Sequence, residues 1–380
     1  MPDSYLVHVA GAMRSYYKDF SKYAKGREPS QKVAWVTSFT PIEILDALDI
    51  EYIYPESYAA VIAASGLEQP LLEESTRQFL SCDCCSYSCC FEGCVETGKG
   101  PRGVPPRPDV LIATNNQCNT LPGWWNILAK RYNVPLIVLD YPGEFTEDPI
   151  ARAYVEKQHK EFVKKMEELS GNKLDENELA KRVENSTASV AAWKRVCACL
   201  KNREVPPTLL FDNINFLITA RCKEETALIY NLMADEMETY PECDKSLTPL
   251  FWIGYPLWYH KDRYLTEVMD GFRVCGSNYI SWWNLDYEGG SVWDKLFSAY
   301  NNTFLNLSQK TKTERLSALI AASGAKCAVT CRNKSCKCDY VSAKNVGIPQ
   351  AELEVDMIDR EYLDVERAGK LMSILKETIS

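Results

Sequence analysis

The chain has 380 residues, of which 46% are hydrophobic and 25% charged, values that exclude a disordered tail, a collagen-like fibre and a small disulfide-stapled module. With 43 Lys+Arg against 52 Asp+Glu the formal charge is −9, which argues against a nucleic-acid-coating protein. A length of this order suggests two or three domains.

The start, MPDSYLVHVAGAMRSYYKDF, lacks the basic-then-apolar pattern of a secretory signal. Apolar windows such as TPLFWIGYPLWY are too short to span a bilayer. The sequon at Asn185 therefore reads as chance, and the expectation is a cytoplasmic protein with reduced thiols, no membrane partner and no nucleic-acid partner.

In chain order, KVAWVTSF (32–39) reads as a strand, followed by a helical segment Ile42–Leu48 that Pro41 is suited to open. EYIYP (51–55) is a second strand. The apolar runs 109–113 and 135–139 suit parallel strands buried on both faces, and Gly123–Arg131 between them has helical spacing, a β-α-β unit. From Asp148 to about Asn202 the chain turns charged and amphipathic, which reads as a solvated helix pair linking two domains. A helical stretch Thr219–Tyr240 follows. Alternation then resumes with strand 249–256, a helix around Tyr264–Met269, strand 273–280, a long helix Val292–Gly324, strands 325–331 and 349–356, and a helix Glu361–Ile379. The fold class expected is α/β: two open parallel-sheet domains of the Rossmann or flavodoxin kind facing a cleft, with a helical linker and an N-terminal segment. The expected boundaries are 1–147, 148–245 and 246–380.

Sixteen cysteines are too few for a disulfide scaffold and too clustered to be only small buried hydrophobes. Seven fall in Cys82–Cys118 (82, 84, 85, 89, 90, 94 and 118) and four in Cys327–Cys338 (327, 331, 336 and 338). Several sit at strand ends, where loops of a two-domain α/β protein converge on the cleft. A zinc knuckle between Cys82 and Cys94 is one reading, from the C-x-x-C of Cys82 and Cys85 and the pair Cys90 and Cys94. The three histidines, His8, His159 and His260, lie near neither cluster in sequence and give a mixed Cys/His site little support. An iron–sulfur cluster tolerates long separations between thiolates, but no C-x2-C-x2-C run occurs, and buried incidental thiols remain an equal reading of spacing alone.

The motifs CSYSCCFEG (85–93) and PPRPDVLIATNNQCNTLPGWWNILAKRYNVPLIVLDYP (105–142) resemble the 2-hydroxyacyl-CoA dehydratase and benzoyl-CoA reductase family. Asn333-Lys-Ser-Cys336, then Gly347-Ile-Pro and Glu352…Glu354-Val-Asp356, resemble that family's third block. The resemblance spans most of the chain in block order. It implies a [4Fe-4S] cluster held by Cys85, Cys118 and Cys336 between two α/β domains. Cys331 rivals Cys336, because only 10 residues separate Cys336 from Gly347 against 15 from Cys331, and Cys84 and Cys89 are neighbouring alternatives to Cys85. The surplus of cysteines leaves a larger double cubane open.

The same resemblance implies the smaller, beta-type subunit of an oxygen-sensitive heterodimeric lyase acting on an acyl-CoA. One electron added to the thioester carbonyl gives a ketyl radical that expels the 2-hydroxyl and acidifies the β-proton. The partners implied are a homologous larger subunit and an iron–sulfur activator ATPase as electron donor. The chain itself has no G-x4-G-K-[ST], so no intrinsic ATP site is expected. A benzoyl-CoA-reductase-type or double-cubane reductase subunit is the runner-up, and a non-catalytic metal-binding scaffold the alternative from another class.

Candidates for catalysis are Ser86, Asn116 and Glu144. Asn115, Asn116 and Asn119 either bond cluster sulfurs or the thioester oxygen, or serve as caps. Trp124 and Trp125 read as packing residues, Asp140 and Glu144 as helix caps, and Ser86 and Tyr87 as pocket-lining or structural. Lys99, Arg102 and Arg107 belong to a Pro/Gly-rich loop that is solvated or meets coenzyme A phosphates. Asp356 and Arg360 read as a functional block or an ion pair.

Overall fold

The computed structural model describes residues 30–78, 81, 83–144, 147–259, 268–336, 343, 344 and 346–379. Outside these lie the N-terminal segment, Cys82, Cys338, His8, His260 and most of the helix expected around Tyr264–Met269.

Eight strands form two separate four-stranded, all-parallel sheets. The first holds β1 (Val33–Val36), β2 (Glu51–Ile53), β3 (Val110–Thr114) and β4 (Leu136–Leu139) in the order β2-β1-β3-β4. The second holds β5 (Thr248–Ile253), β6 (Phe272–Ser277), β7 (Cys327–Asn333) and β8 (Gln350–Val355) in the order β6-β5-β7-β8. The two sheets share one connectivity, and with no closed barrel among the described residues the architecture is the α/β arrangement the alternation predicts. The central strands of the first sheet are covered on both faces, and every residue of β1 and β3 is buried. Trp35 pairs with Leu111 and Ile112 with Ile137 in the first sheet, and Leu250 with Cys327 and Val329 with Ala351 in the second. In each sheet the chain reverses direction of winding between the two central strands, which places a crevice at the carboxyl ends of β1 and β3 and of β5 and β7.

The middle of the chain departs from the expected solvated linker. Pro149–Ser170, capped by Asp148, and Glu176–Asn202, capped by Asp175, are indeed helices. However, Val155, Phe162, Met166, Leu179, Val183, Trp193 and Val196 on them are fully buried or nearly so. The Trp193 indole donates to the Ile280 carbonyl at 2.9 Å, and Ser186 donates to Glu43 at 2.6 Å. The charges that made the pair look solvated occupy only the outer face, and the inner face is core.

The long helix expected over Val292–Gly324 is two helices, Val292–Asn301 and Gln309–Ser323, with a 3-10 turn between. The side chain of Asn301 exchanges hydrogen bonds with the Gly143 carbonyl and N–H at 2.8 and 3.1 Å, and Ser308 caps the second helix. Short polar side chains that bond backbone outside the helix end it there. Among the described residues six α-helices were not anticipated: Pro55–Ala64, Glu68–Gln78, Ser86–Thr97, Pro207–Asn213, Asn215–Thr219 and Asn278–Ser281.

Candidate functional site

Cys85 is the N-cap residue of the Ser86–Thr97 helix, Cys118 lies in the loop between β3 and the Thr120–Tyr132 helix, and Cys336 lies just beyond β7. Cys118 and Cys336 thus occupy equivalent places, the carboxyl end of the third strand of each sheet. Burial pushes the Cys85 thiol well up, and the charges of Cys336 and Cys118 push it further. Cys118 is raised to about 11, again first by burial, with Cys336 and Glu56 adding to it, while the N–H groups of Leu121 and Thr120 pull it down. The three thiols are therefore electrostatic neighbours drawn from three loops. At Cys85 the N–H groups of Ser88 and Tyr87 act in the lowering direction too.

This donor set suits a cationic group. Half-buried cysteines at two helix N-termini meet N–H donors that favour thiolate, while desolvation, mutual repulsion and, at Cys118, the Glu56 charge oppose it. A bound cation removes that opposition. Among the described residues no three His, Cys, Asp or Glu side chains close around a single-ion site. The zinc reading rests in part on Cys82, which lies outside the described residues.

The alternatives fall elsewhere. Cys331 points within β7, buried against Gly254, where the ideal Cβ of that glycine would approach its carbonyl at 3.1 Å, and burial alone raises its thiol. Cys84 and Cys89 are neighbours of each other and line a groove of about 500 Å³ with Ser86, Ser335 and Asp356. Cys90 and Cys94 are buried in the Ser86–Thr97 helix.

A second cavity, about 420 Å³, opens at the carboxyl ends of the strands. Its polar residues include Ser38 from the loop after β1, Glu56 from the first turn of the Pro55–Ala64 helix, and Gln117 beside Cys118. Glu56 accepts from the Ser38 N–H and hydroxyl, both at 3.0 Å, and from Gln117 Nε2 at 2.7 Å. Burial raises its pKa and these three donors lower it, with burial prevailing. Tyr87 also lines the cavity, and its hydroxyl accepts from the Trp258 indole at 2.5 Å, which ties the Ser86–Thr97 helix to the loop after β5.

Of the catalytic candidates, Ser86 is hydrogen-bonded to Ser335 at 3.0 Å and lines the groove. Asn116 is fully buried and donates to the Tyr300 carbonyl at 2.8 Å. Glu144 accepts from the Ser308 N–H at 2.9 Å, is held below the usual carboxylate range by Ser308 and Thr311, and lines neither cavity. Asp140 accepts from Asn115 and from Tyr154 at 2.9 Å, while the following helix is capped by Asp148. Trp124 donates to Glu92 and Trp125 to the Trp35 carbonyl within the core. Arg107 bonds the Tyr132 carbonyl at the end of a helix, Lys99 is exposed, and the Arg102 N–H donates to the Tyr58 hydroxyl. Arg360 pairs with Glu68, and Asp356 accepts from Ser335. Ser38, Glu56 and Gln117 were missed by sequence reasoning. Ser38 and Glu56 follow the first two strands directly, and the strand-end rule that singled out Cys118 applies equally to them.

Residues 37–371 match the family model of the 2-hydroxyglutaryl-CoA dehydratase D-component, and the chain belongs to that family. It is 27% identical over 355 residues, 88% of this chain and 86% of the relative, to the (R)-phenyllactyl-CoA dehydratase alpha subunit of Clostridium sporogenes. It is 28% identical over 385 residues, 94% of this chain and 93% of the relative, to the (R)-2-hydroxyisocaproyl-CoA dehydratase alpha subunit of Clostridioides difficile. A more distant relative is a benzoyl-CoA reductase subunit of Thauera aromatica, 25% identical over 390 residues, 90% of this chain and 88% of the relative. Both dehydratase relatives are alpha subunits, so they lend the beta-type expectation no support. Among the described residues no helix is long and apolar enough to cross a membrane.

Proposed function

We propose that this chain is an iron–sulfur subunit of a 2-hydroxyacyl-CoA dehydratase, with Cys85, Cys118 and Cys336 holding a [4Fe-4S] cluster beside the 420 Å³ cavity. The observation that carries the reading is the 3.0 Å hydrogen bond between Ser86, next to Cys85, and Ser335, next to Cys336, with the charges of Cys336 and Cys118 acting on the Cys85 thiol and Glu56 of the cavity acting on Cys118. When bound, the cluster would supply the single electron that the thioester carbonyl takes up.

The protein's own groups do the rest. The aromatic and aliphatic walls displace water from the thioester, which strengthens every polar contact inside. Glu56 Oε2, held by Ser38, and Oε1, held by Gln117, form a fixed carboxylate able to accept a proton from the acyl chain and return it toward the departing hydroxyl. The Ser38 hydroxyl is the relay next to it. On this reading the partners are a homologous subunit and a separate iron–sulfur ATPase that delivers the electron, and the compartment is the cytoplasm. A reductase of the benzoyl-CoA type is the second reading, favoured by the match to the benzoyl-CoA reductase relative.

The test is anaerobic purification with iron and sulfide quantification. About four irons per chain are expected, lost in Cys118→Ala and retained in Cys199→Ala, whose thiol lies in the Glu176–Asn202 helix. Equal iron in wild type and Cys118→Ala overturns the assignment.

A further inference from the structure

We infer that the site, on the reading just given, takes a bulky and uncharged 2-hydroxyacyl group, aromatic or branched aliphatic, and discriminates against both dicarboxylic and very small acyl groups. The charge on the cavity decides the first half. Among the described lining residues Glu56 and Asp212 are the only ionisable carboxylates, Asp212 exposed at the rim, and there is no Lys, Arg or His. A substrate tail ending in a carboxylate would lose its water and meet the Glu56 carboxylate. Burying such a group without a cation costs several kcal/mol.

The other polar groups around the cavity are neutral. Ser57, Ser65 and Asn215 line it with Ser38 and Gln117. Such groups fit an uncharged hydroxyl and a thioester carbonyl, which can bond them without a net charge to solvate.

Size and wall chemistry decide the second half. The face of the Pro55–Ala64 helix that follows Glu56 carries Ala60 and Ala64, so it opens space where larger side chains would fill it. Opposite chemistry comes from rings: Trp283 stacks on Phe39 with centroids 4.6 Å apart and planes at 21°, and Trp282 meets Tyr255 edge-on at 5.1 Å. A ring or branched chain completes this aromatic packing, while a one-carbon tail leaves most of the 420 Å³ unfilled.

The experiment is calorimetric titration of the full-length protein with phenyllactyl-CoA, lactoyl-CoA and 2-hydroxyglutaryl-CoA, read alongside quenching of tryptophan fluorescence. Phenyllactyl-CoA is expected to bind about tenfold tighter, or more, than either of the others. In Ala64→Lys, a cation added at the exposed rim raises the ratio of 2-hydroxyglutaryl-CoA to phenyllactyl-CoA affinity by about tenfold. Equal or tighter binding of 2-hydroxyglutaryl-CoA or lactoyl-CoA to wild type overturns this inference and leaves the dehydratase reading standing. If none of the three thioesters binds, the acyl-CoA site itself is wrong and both fall.

Discussion

The Ser335 hydroxyl lies 3.0 Å from the Ser86 hydroxyl, so the residue before Cys336 is hydrogen-bonded to the residue after Cys85. Ser335 also donates to Asp356 Oδ2 at 2.6 Å, and the other oxygen of that fully buried carboxylate accepts from the N–H groups of Ile358 and Asp359 at 3.0 Å each. The turn after β8 thereby fixes the loop after β7, and that loop fixes the N-terminus of the Ser86–Thr97 helix. The segments that carry Cys85 and Cys336, far apart in sequence, are thereby held in register with each other.

Ser335→Ala removes the junction without touching a thiol. It is expected to lower unfolding free energy by about 1–2 kcal/mol in urea titrations, through one lost hydrogen bond and one weakened carboxylate contact. Iron retention after anaerobic gel filtration should fall relative to wild type, and Ser335→Thr should restore most of it. Unchanged iron retention in Ser335→Ala would show that the junction has no part in holding the group.

Gly93 is explained by helix contact. An added Cβ would lie 2.0 Å from the Leu71 carbonyl oxygen on the Glu68–Gln78 helix, a backbone atom that cannot swing aside. Gly93→Ala must push apart the two helices, one of which carries Cys85 at its N-terminus. The expected cost is about 1–3 kcal/mol or more in thermal or urea unfolding. By contrast Gly123→Ala, where nothing lies within 4 Å of the new Cβ, should be neutral or slightly stabilising.

Both sheets were legible in the sequence because buried parallel strands are written as short unbroken apolar runs, and VLIAT or CAVTC carries that signal without help from the rest of the fold. Cys118 and Cys336 were singled out by strand ends and Cys85 by a motif resemblance, and the charges of the other two act on the Cys85 thiol. Glu56 stayed hidden for a different reason. Nothing in PESYAAVIAA marks its glutamate as buried, since in a lone helix a first-turn acid simply favours the dipole. Only tertiary closure brings Ser38 and Gln117, 18 residues before and 61 after it, onto its two oxygens. The inner face of Glu176–Asn202 was given too little weight because its charge-rich composition overshadowed the apolar stripe that runs from Leu179 to Leu200.

A buried ion pair sets the position of the loop that carries Ser38. Arg221 donates to the Thr40 carbonyl at 2.7 Å, to the Ile218 carbonyl at 2.9 Å and to the Tyr300 hydroxyl at 2.6 Å, and lies 3.5 Å from Glu43. Glu43 in turn accepts from Tyr300, Tyr287 and Ser186 at 2.6, 2.7 and 2.6 Å. Glu43→Gln strands the guanidinium without its counter-charge in the interior. It is expected to cost about 3–5 kcal/mol in urea unfolding, whereas Lys194→Gln, which breaks the exposed pair with Asp286, should cost under about 1 kcal/mol. Equal effects from the two variants would deny the buried pair its structural role.

His159 gives the fold a pH dependence of known sign. It is buried on the Pro149–Ser170 helix with Nε2 2.9 Å from the Tyr141 hydroxyl, and burial lowers its pKa to about 4. In the unfolded chain an imidazole titrates near 6.5, so between about pH 6.5 and 4 the unfolded state holds the extra proton. Stability from this residue is therefore complete above the unfolded value and is lost as pH falls through that window, by up to about 3 kcal/mol at its lower end. His159→Gln preserves a hydrogen bond to Tyr141 but cannot take up the proton. Urea unfolding at pH 7 and pH 5 should show a smaller acid loss in His159→Gln than in wild type, by about 2 kcal/mol. An identical pH dependence in the two proteins would mean that His159 is solvated or already charged in the native state.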